Sequence, residues 1–227
     1  MLAAGLAAYL VAALFVDRYA DRRGQLAIGL ATLVVLLLAA RVFPPRVRLQ
    51  AGLVVVVATM AEVLGSIVWG VYQYRLGNLP PFVPPGHGIV YLLGLSFSLA
   101  VRSRERLLVN GAIALVVLWG LAGVTVLPRT DVSGLIGCTV LAAVLVWSRH
   151  PVYAGVALAV AALELYGTAV GTWTWAEIVP GLGLSQGNPP SGVASGYVLF
   201  DVFALVTAPF LLRLLPRLPG RAQPEPA

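Results

Sequence analysis

The sequence predicts an all-α protein, a polytopic bundle of about eight membrane-spanning helices built as two four-helix repeats in parallel orientation. Three observations predict it. Hydrophobic residues make up 59% of the 227 residues and charged residues 11%, against roughly 25% charged in a soluble domain, and mean hydropathy is +0.92. Apolar runs near the roughly 20 residues that cross a bilayer alternate with short charged or proline-rich breaks. One motif also occurs twice. It reads Glu62-Val-Leu-Gly65, Gly70-Val-Tyr72-Gln-Tyr74 and Gly77-Asn78-Leu-Pro80-Pro81, then Glu164-Leu-Tyr-Gly167, Gly171-Thr-Trp173-Thr-Trp175 and Gly187-Asn188-Pro189-Pro190. The two glutamates are separated by close to half of the chain.

Spans are expected at about 1–16, 25–43, 51–74, 86–101, 107–127, 133–148, 152–176 and 192–215. The first lacks a positive leading segment and an Ala-x-Ala cleavage site before Asp17, so it reads as a membrane helix rather than a cleaved signal. Asp17-Arg18 closes it, and Pro44-Pro45-Arg46 separates the second from the third. The first and fourth spans are short, which makes seven the alternative count. Arg102-Ser-Arg104-Glu-Arg106 follows the fourth, and Arg149-His150-Pro151 precedes the seventh. Cys138 in the sixth is the only cysteine, so no intramolecular disulfide can form, and a small buried apolar residue is expected there. Residues 1–106 make the first repeat and 107–216 the second. The segment 217–227 reads as a disordered cytoplasmic tail. Four helices per repeat give both halves one orientation, related by an axis along the membrane normal.

All fifteen cations are arginines, spread as flanks to the apolar runs rather than gathered as a nucleic-acid surface. With eight spans, one side holds Arg41, Arg46, Arg48, Arg102, Arg104, Arg106, Arg149, Arg213, Arg217 and Arg221. The other holds Arg18, Arg22, Arg23, Arg75 and Arg129. The richer side is the cytoplasmic one by the positive-inside rule. Both termini are then cytoplasmic in a multi-pass cell (inner or plasma) membrane protein, with the two proline-rich loops facing outward. No Cys/His cluster supplies zinc ligands and no phosphate-loop ending occurs, so no cofactor is expected.

An ionisable group inside a bilayer is costly and marks a functional site by default. Glu62 and Glu164 lie about eleven and twelve residues into their spans, roughly 16–18 Å deep at about 1.5 Å per residue, and Asp201 reaches a similar level from the other side. Thr59, Glu62, Ser66, Trp69 and Gln73 fall at helical steps of three and four, as do Glu164, Thr168, Gly171 and Trp175. Two polar stripes facing each other would place Ser66 and Thr168 in equivalent positions. A protonated carboxyl beside an ionised one can donate a proton and receive it back, which makes Glu62, Glu164 and Asp201 the candidate catalytic residues. The alternative is that the glutamates hold helices together by hydrogen bonding. Tyr72, Tyr74, Trp173 and Trp175 either form an interfacial belt or wall a pocket for an apolar ligand, with cation–π stabilisation of positive charge. His87, in a Pro-Pro loop whose counterpart around Asn188 has no histidine, is a candidate proton donor or ligand contact. Tyr91 and Tyr197 each follow their proline loop into a helix, and Tyr197 stands one turn from Asp201.

The run Glu62-x-x-Gly65…Gly70-x-Tyr72-x-Tyr74 resembles a stretch in bacterial polytopic carotenoid-biosynthesis membrane proteins of the carotenoid hydratase type. The likeness covers about a dozen of the 227 residues, and the second copy departs from it with Trp173 and Trp175 in place of the tyrosines. It implies proton addition to an isoprenoid double bond followed by water, with Glu62 as the acid. The expected function is therefore acid–base chemistry (hydration, isomerisation or cyclisation) on an isoprenoid or other lipid. The alternatives are a small proton-coupled transporter, which at this length would work as a homodimer, and a non-catalytic assembly protein. Membrane lipids and an apolar lipid substrate are the expected partners, and nucleic acid is not.

Overall fold

The apolar segments become eight α-helices, cut where the charged and proline-rich breaks fall. In the computed structural model, which describes residues 1–214, they are α1 (Leu2–Asp17), α2 (Arg22–Ala40), α3 (Pro45–Glu62), α4 (Val83–Ala100), α5 (Glu105–Thr125), α6 (Val132–Ser148), α7 (Pro151–Val170) and α8 (Ala194–Leu214). The expected tail at 217–227 lies outside the described residues. Local chemistry sets the starts. Asp21 and Asp131 cap α2 and α6 by accepting from the amides of Gly24 and Gly134 at 2.8 and 3.0 Å. Pro45 and Pro151 occupy first turns, where no amide hydrogen is needed.

Six helices are long and apolar enough to cross a membrane: α2, α3 with its extension, α4, α5 with the preceding turn, α7 and α8. The other two, α1 and α6, are apolar but have 16 and 17 residues. At about 1.5 Å per residue they rise some 24–26 Å, short of a hydrocarbon core of about 30 Å. The outer faces are apolar throughout, with Leu26, Leu30, Leu33 and Leu37 of α2 all exposed. An apolar surface of this extent marks a protein whose neighbour is not water, consistent with an integral membrane protein.

Two antiparallel helices, α4 and α7, form the centre. A Cβ on Gly94 would collide with the backbone of Val156, and one on Gly155 with the Gly94 carbonyl. The helices thus cross backbone to backbone, the close approach that small residues allow between membrane helices. Around them α3 packs on α4 and α8, and α8 on α7. The peripheral helices are placed unequally, α1 against α2, α4 and α7, but α5 against α6 and α7. This inequality opens space beside α1, described below.

Two expectations need correcting. The spans at 51–74 and 152–176 do not stay helical to their ends. After Glu62 the helix widens into a π-helix over Val63–Trp69, and Gly70, at φ 76°, stops it. Gly171, at φ 79°, stops α7. Both glycines take the left-handed conformation that favours glycine as a helix stop. The following residues are strands, β1 (Tyr72–Tyr74) and β2 (Trp173–Trp175), paired antiparallel with Tyr72 opposite Trp175, Gln73 opposite Thr174 and Tyr74 opposite Trp173. Gln73 therefore cannot continue a helical polar stripe from Glu62. The strand pair lies with the other connections at one end of the bundle. Gln186 donates to the Val71 carbonyl at 3.0 Å, Arg129 to the Trp175 carbonyl at 3.1 Å, and Arg75 to the carbonyls of Asp17 and Ala20.

Candidate functional site

Alternation along a strand puts residues i and i+2 on one face. In β1 and β2 that face carries Tyr72, Tyr74, Trp173 and Trp175, while Gln73 and Thr174 stand exposed on the other. The four rings turn into the bundle. Tyr72 and Trp175 have centroids 4.5 Å apart, and Tyr74 and Trp173 6.1 Å. Beneath them lies a cavity of about 220 Å³, walled also by Glu62, His87, Glu164 and Tyr197, and by Leu10 and Leu14 of α1.

Each glutamate makes three hydrogen bonds in one pattern. Glu62 Oε2 accepts from the hydroxyls of Tyr72 and Tyr74, both at 2.6 Å, and its Oε1 lies 2.9 Å from His87 Nε2. Glu164 Oε2 accepts from the indole N–H groups of Trp173 and Trp175 at 2.8 and 3.3 Å, and its Oε1 from the Tyr197 hydroxyl at 3.2 Å. In both halves one carboxylate oxygen meets two rings from the adjoining strand, and the other meets one ring from the helix after the next loop. By role, the partner of His87 is Tyr197, not a residue of the Asn188 loop. Glycine makes the fit. A Cβ on Gly65 would press on the Tyr72 ring and one on Gly167 would overlap Trp173.

The two copies differ by one residue in length, with seven residues between Glu62 and Gly70 and six between Glu164 and Gly171. The π-helix absorbs the additional residue, the usual structural consequence of a one-residue insertion in a helix. Trp69 then falls outside the cavity, half exposed, with its indole N–H donating to the Pro180 carbonyl at 2.8 Å.

The remaining candidates divide clearly. Glu62, Glu164, Tyr72, Tyr74, His87, Trp173, Trp175 and Tyr197 share the cavity. Asp201, Tyr91, Ser66, Trp69, Thr168 and Asn188 do not line it. Asp201, one turn beyond Tyr197, is 1% exposed, and its Oδ2 has no hydrogen-bond partner among the described residues. Tyr91 donates to Gln50 Oε1 at 2.8 Å. Tyr91 and Asp201 each stand one helical turn beyond His87 and Tyr197 and outside the cavity that holds the two glutamates, so the three carboxyls do not line one cavity. Thr168 bonds back to the Glu164 carbonyl at 2.8 Å, and Asn188 Oδ1 accepts from the Trp175 amide at 3.0 Å, fixing β2.

Sequence reasoning missed Asp131. Its buried carboxylate accepts from the amides of Gly134, Gly187 and Ser191 and from the Ser191 hydroxyl, at 2.6–3.0 Å, tying α6 to the loop between β2 and α8. The Asp-x-x-Gly spacing after Arg129-Thr130 was the available signal. It also missed the α1 wall of the cavity, since nothing in an apolar helix says which neighbour it meets. Comparison with known proteins adds no assignment: no family model, no curated protein and no solved structure matches the chain.

Proposed function

We propose that this protein is a membrane enzyme that adds a proton to a carbon–carbon double bond of an isoprenoid lipid, with Glu62 as the acid. The observation that carries the reading is the pair of buried carboxyls, each held by three hydrogen bonds, in one cavity beneath the four aromatic rings of the strand pair. The partners give the two carboxyls different chemistry. Tyrosine hydroxyls and an imidazole can each donate or accept, so Glu62 can hold or release a proton without leaving any of its partners unpaired. Indole N–H groups only donate, so Glu164 Oε2 is fixed as an acceptor and suits a base.

The step balances as follows. The Glu62 O–H bond breaks as the π electrons of the alkene form a C–H bond, and the adjacent carbon becomes a cation. The faces of Tyr72, Tyr74, Trp173 and Trp175 stabilise that cation, and the donors of Glu62 hold the new carboxylate. Water then adds to the cation and returns a proton to a carboxylate, which is hydration. Loss of a neighbouring proton to Glu164 instead gives isomerisation, and attack of a second double bond of the lipid on the cation, followed by the same proton loss, gives ring closure. The acid role of Glu62 is also the one implied by the resemblance of its motif.

The same reading takes all eight helices as spans in two parallel four-helix repeats. Its support is the strand pairing, which places Gln73 opposite Thr174 as if about an axis along the bundle, and the matching three-bond pattern at each glutamate. Both termini are taken as cytoplasmic in the cell membrane. The arginine-rich end supports that side, and at the other end Arg75 and Arg129 are spent on backbone carbonyls.

The experiment compares lipid and pigment extracts from cells lacking the gene and complemented with wild type, Glu62→Gln or Glu164→Gln. A precursor converted only by wild type is the expected result. Unchanged lipids with altered proton-dependent solute uptake would point to a transporter instead, and full rescue by both variants would exclude any carboxylate-based function.

A further inference from the structure

The cavity beneath the aromatic rings is small for a lipid. At about 220 Å³ it falls below the roughly 300–1,000 Å³ usual for small-molecule sites. Beside it, between α1, α4 and α7, lies a groove of about 330 Å³ whose wall is almost wholly apolar. Leu10 of α1 and Leu163 of α7 line both spaces. From Leu163 the groove continues along α7 past Ala162 and Ala159, and along α4 to Phe97, away from the strand pair. Its rim faces outward, since Val11 is 47% exposed and Ala162 is exposed. The groove exists because α1 and α5 are placed unequally: α1 stands against both α4 and α7, whereas α5 packs on α6 and α7.

We infer that this groove is the binding site for the tail of a linear isoprenoid whose reactive double bond lies in the carboxylate cavity. The inference rests on the function proposed above for that cavity and names the shape of its substrate: one end under the rings, the rest extended along α7 and entering sideways from the bilayer. The two spaces adjoin at Leu10 and Leu163, which form their common wall, and this adjacency suits one elongated occupant passing between those two side chains. The carboxyls and aromatic rings all stand at one end of the path, so the tail needs no polar group of its own. Small side chains at Ala7, Ala159 and Ala162 leave the room that a chain requires.

The test measures equilibrium binding of geraniol, farnesol and geranylgeraniol to the purified full-length protein in detergent, by quenching of tryptophan fluorescence. Wild type should bind the longer alcohols progressively more tightly. Ala159→Phe, which fills the groove without touching the cavity, should weaken geranylgeraniol about tenfold, equivalent to about 1.4 kcal/mol, and leave geraniol unchanged. Ala162→Phe should do the same, and unchanged melting of either variant shows that it folds. Affinity independent of chain length, or equal loss for all three alcohols in a variant that melts normally, would overturn the inference. So would competition by hexadecanol as strong as that by geranylgeraniol, which would assign the groove to ordinary acyl chains. The proposed function fails separately: if chain-length binding behaves as expected but Glu62→Gln converts lipid normally, the groove stands and the acid role does not.

Discussion

The two glutamates are chemically unequal although their surroundings have one plan. Glu62 meets oxygens and an imidazole, groups that can reverse their hydrogen bonds, whereas two of the three contacts of Glu164 are indoles that cannot. On the proposed function, this difference in donor type makes Glu62 the acid and Glu164 the base. Asp131 has the opposite character, since its carboxylate only holds backbone and hydroxyl donors of the surrounding loop. Asp131→Ala would strip four donors of their acceptor. It should destabilise the protein by about 3 kcal/mol, at the scale of one or two lost hydrogen bonds to a charged group. Asp131→Asn retains one carbonyl oxygen and should fall between that variant and wild type. Thermal melting in detergent reads both, and a melting temperature unchanged in the alanine variant would show that the loop is held by other contacts.

At the scale of the element, the informative feature is the helix end after each glutamate. A one-residue difference between the two copies is taken up by the π-helix over Val63–Trp69, so that Gly70 and Gly171 both stop their helices two residues before the first ring. Deleting the exposed Val68 should therefore let the π-helix revert to an α-helix and leave the site assembled. Deleting the exposed Ala169 from α7, where no extra residue exists, should pull Trp173 away from Glu164. Lipid conversion by the two deletion variants checks this, and equal loss in both would contradict the role given to the π-helix. The strands themselves were written in the sequence as alternating aromatic and polar residues after a glycine. Apolar periodicity runs on through the glycine stop and so suggests helix there, which leaves a membrane belt and a cavity wall equally open for the aromatics until the strand pairing is known.

For the whole molecule, composition and the duplicated motif were enough to place eight helices and to single out both glutamates. The breaks at Asp17, Pro44, Arg102, Arg149 and their neighbours are polar interruptions in apolar runs, and such signals are local. What the sequence did not carry was lateral arrangement. Asp201 and the glutamates all look like midplane carboxyls from the sequence, yet Asp201 does not line the glutamates' cavity, because depth along a helix says nothing of the face a residue occupies. The positions of α1 and α5 were equally illegible, since both helices are apolar all round. Orientation in the membrane gives a prediction at this scale. In a Cys138→Ala background, Thr174→Cys on the strand face should react with an impermeant maleimide applied to intact cells. Ser103→Cys, in the turn before α5, should react only after permeabilisation. The reverse pattern would invert the topology.

The central claim is that Glu62 delivers a proton to carbon, and solvent deuterium reads that event directly. Cells expressing wild type and grown in deuterium oxide, with the accumulated lipid precursor supplied unlabelled, should yield product bearing deuterium at a carbon of the former double bond. Glu62→Gln should give a rate lower by at least about 100-fold, the smaller end of what a general acid contributes, with the precursor left unlabelled. Product formed at the wild-type rate by Glu62→Gln, or product that carries no solvent deuterium on carbon, would contradict the account.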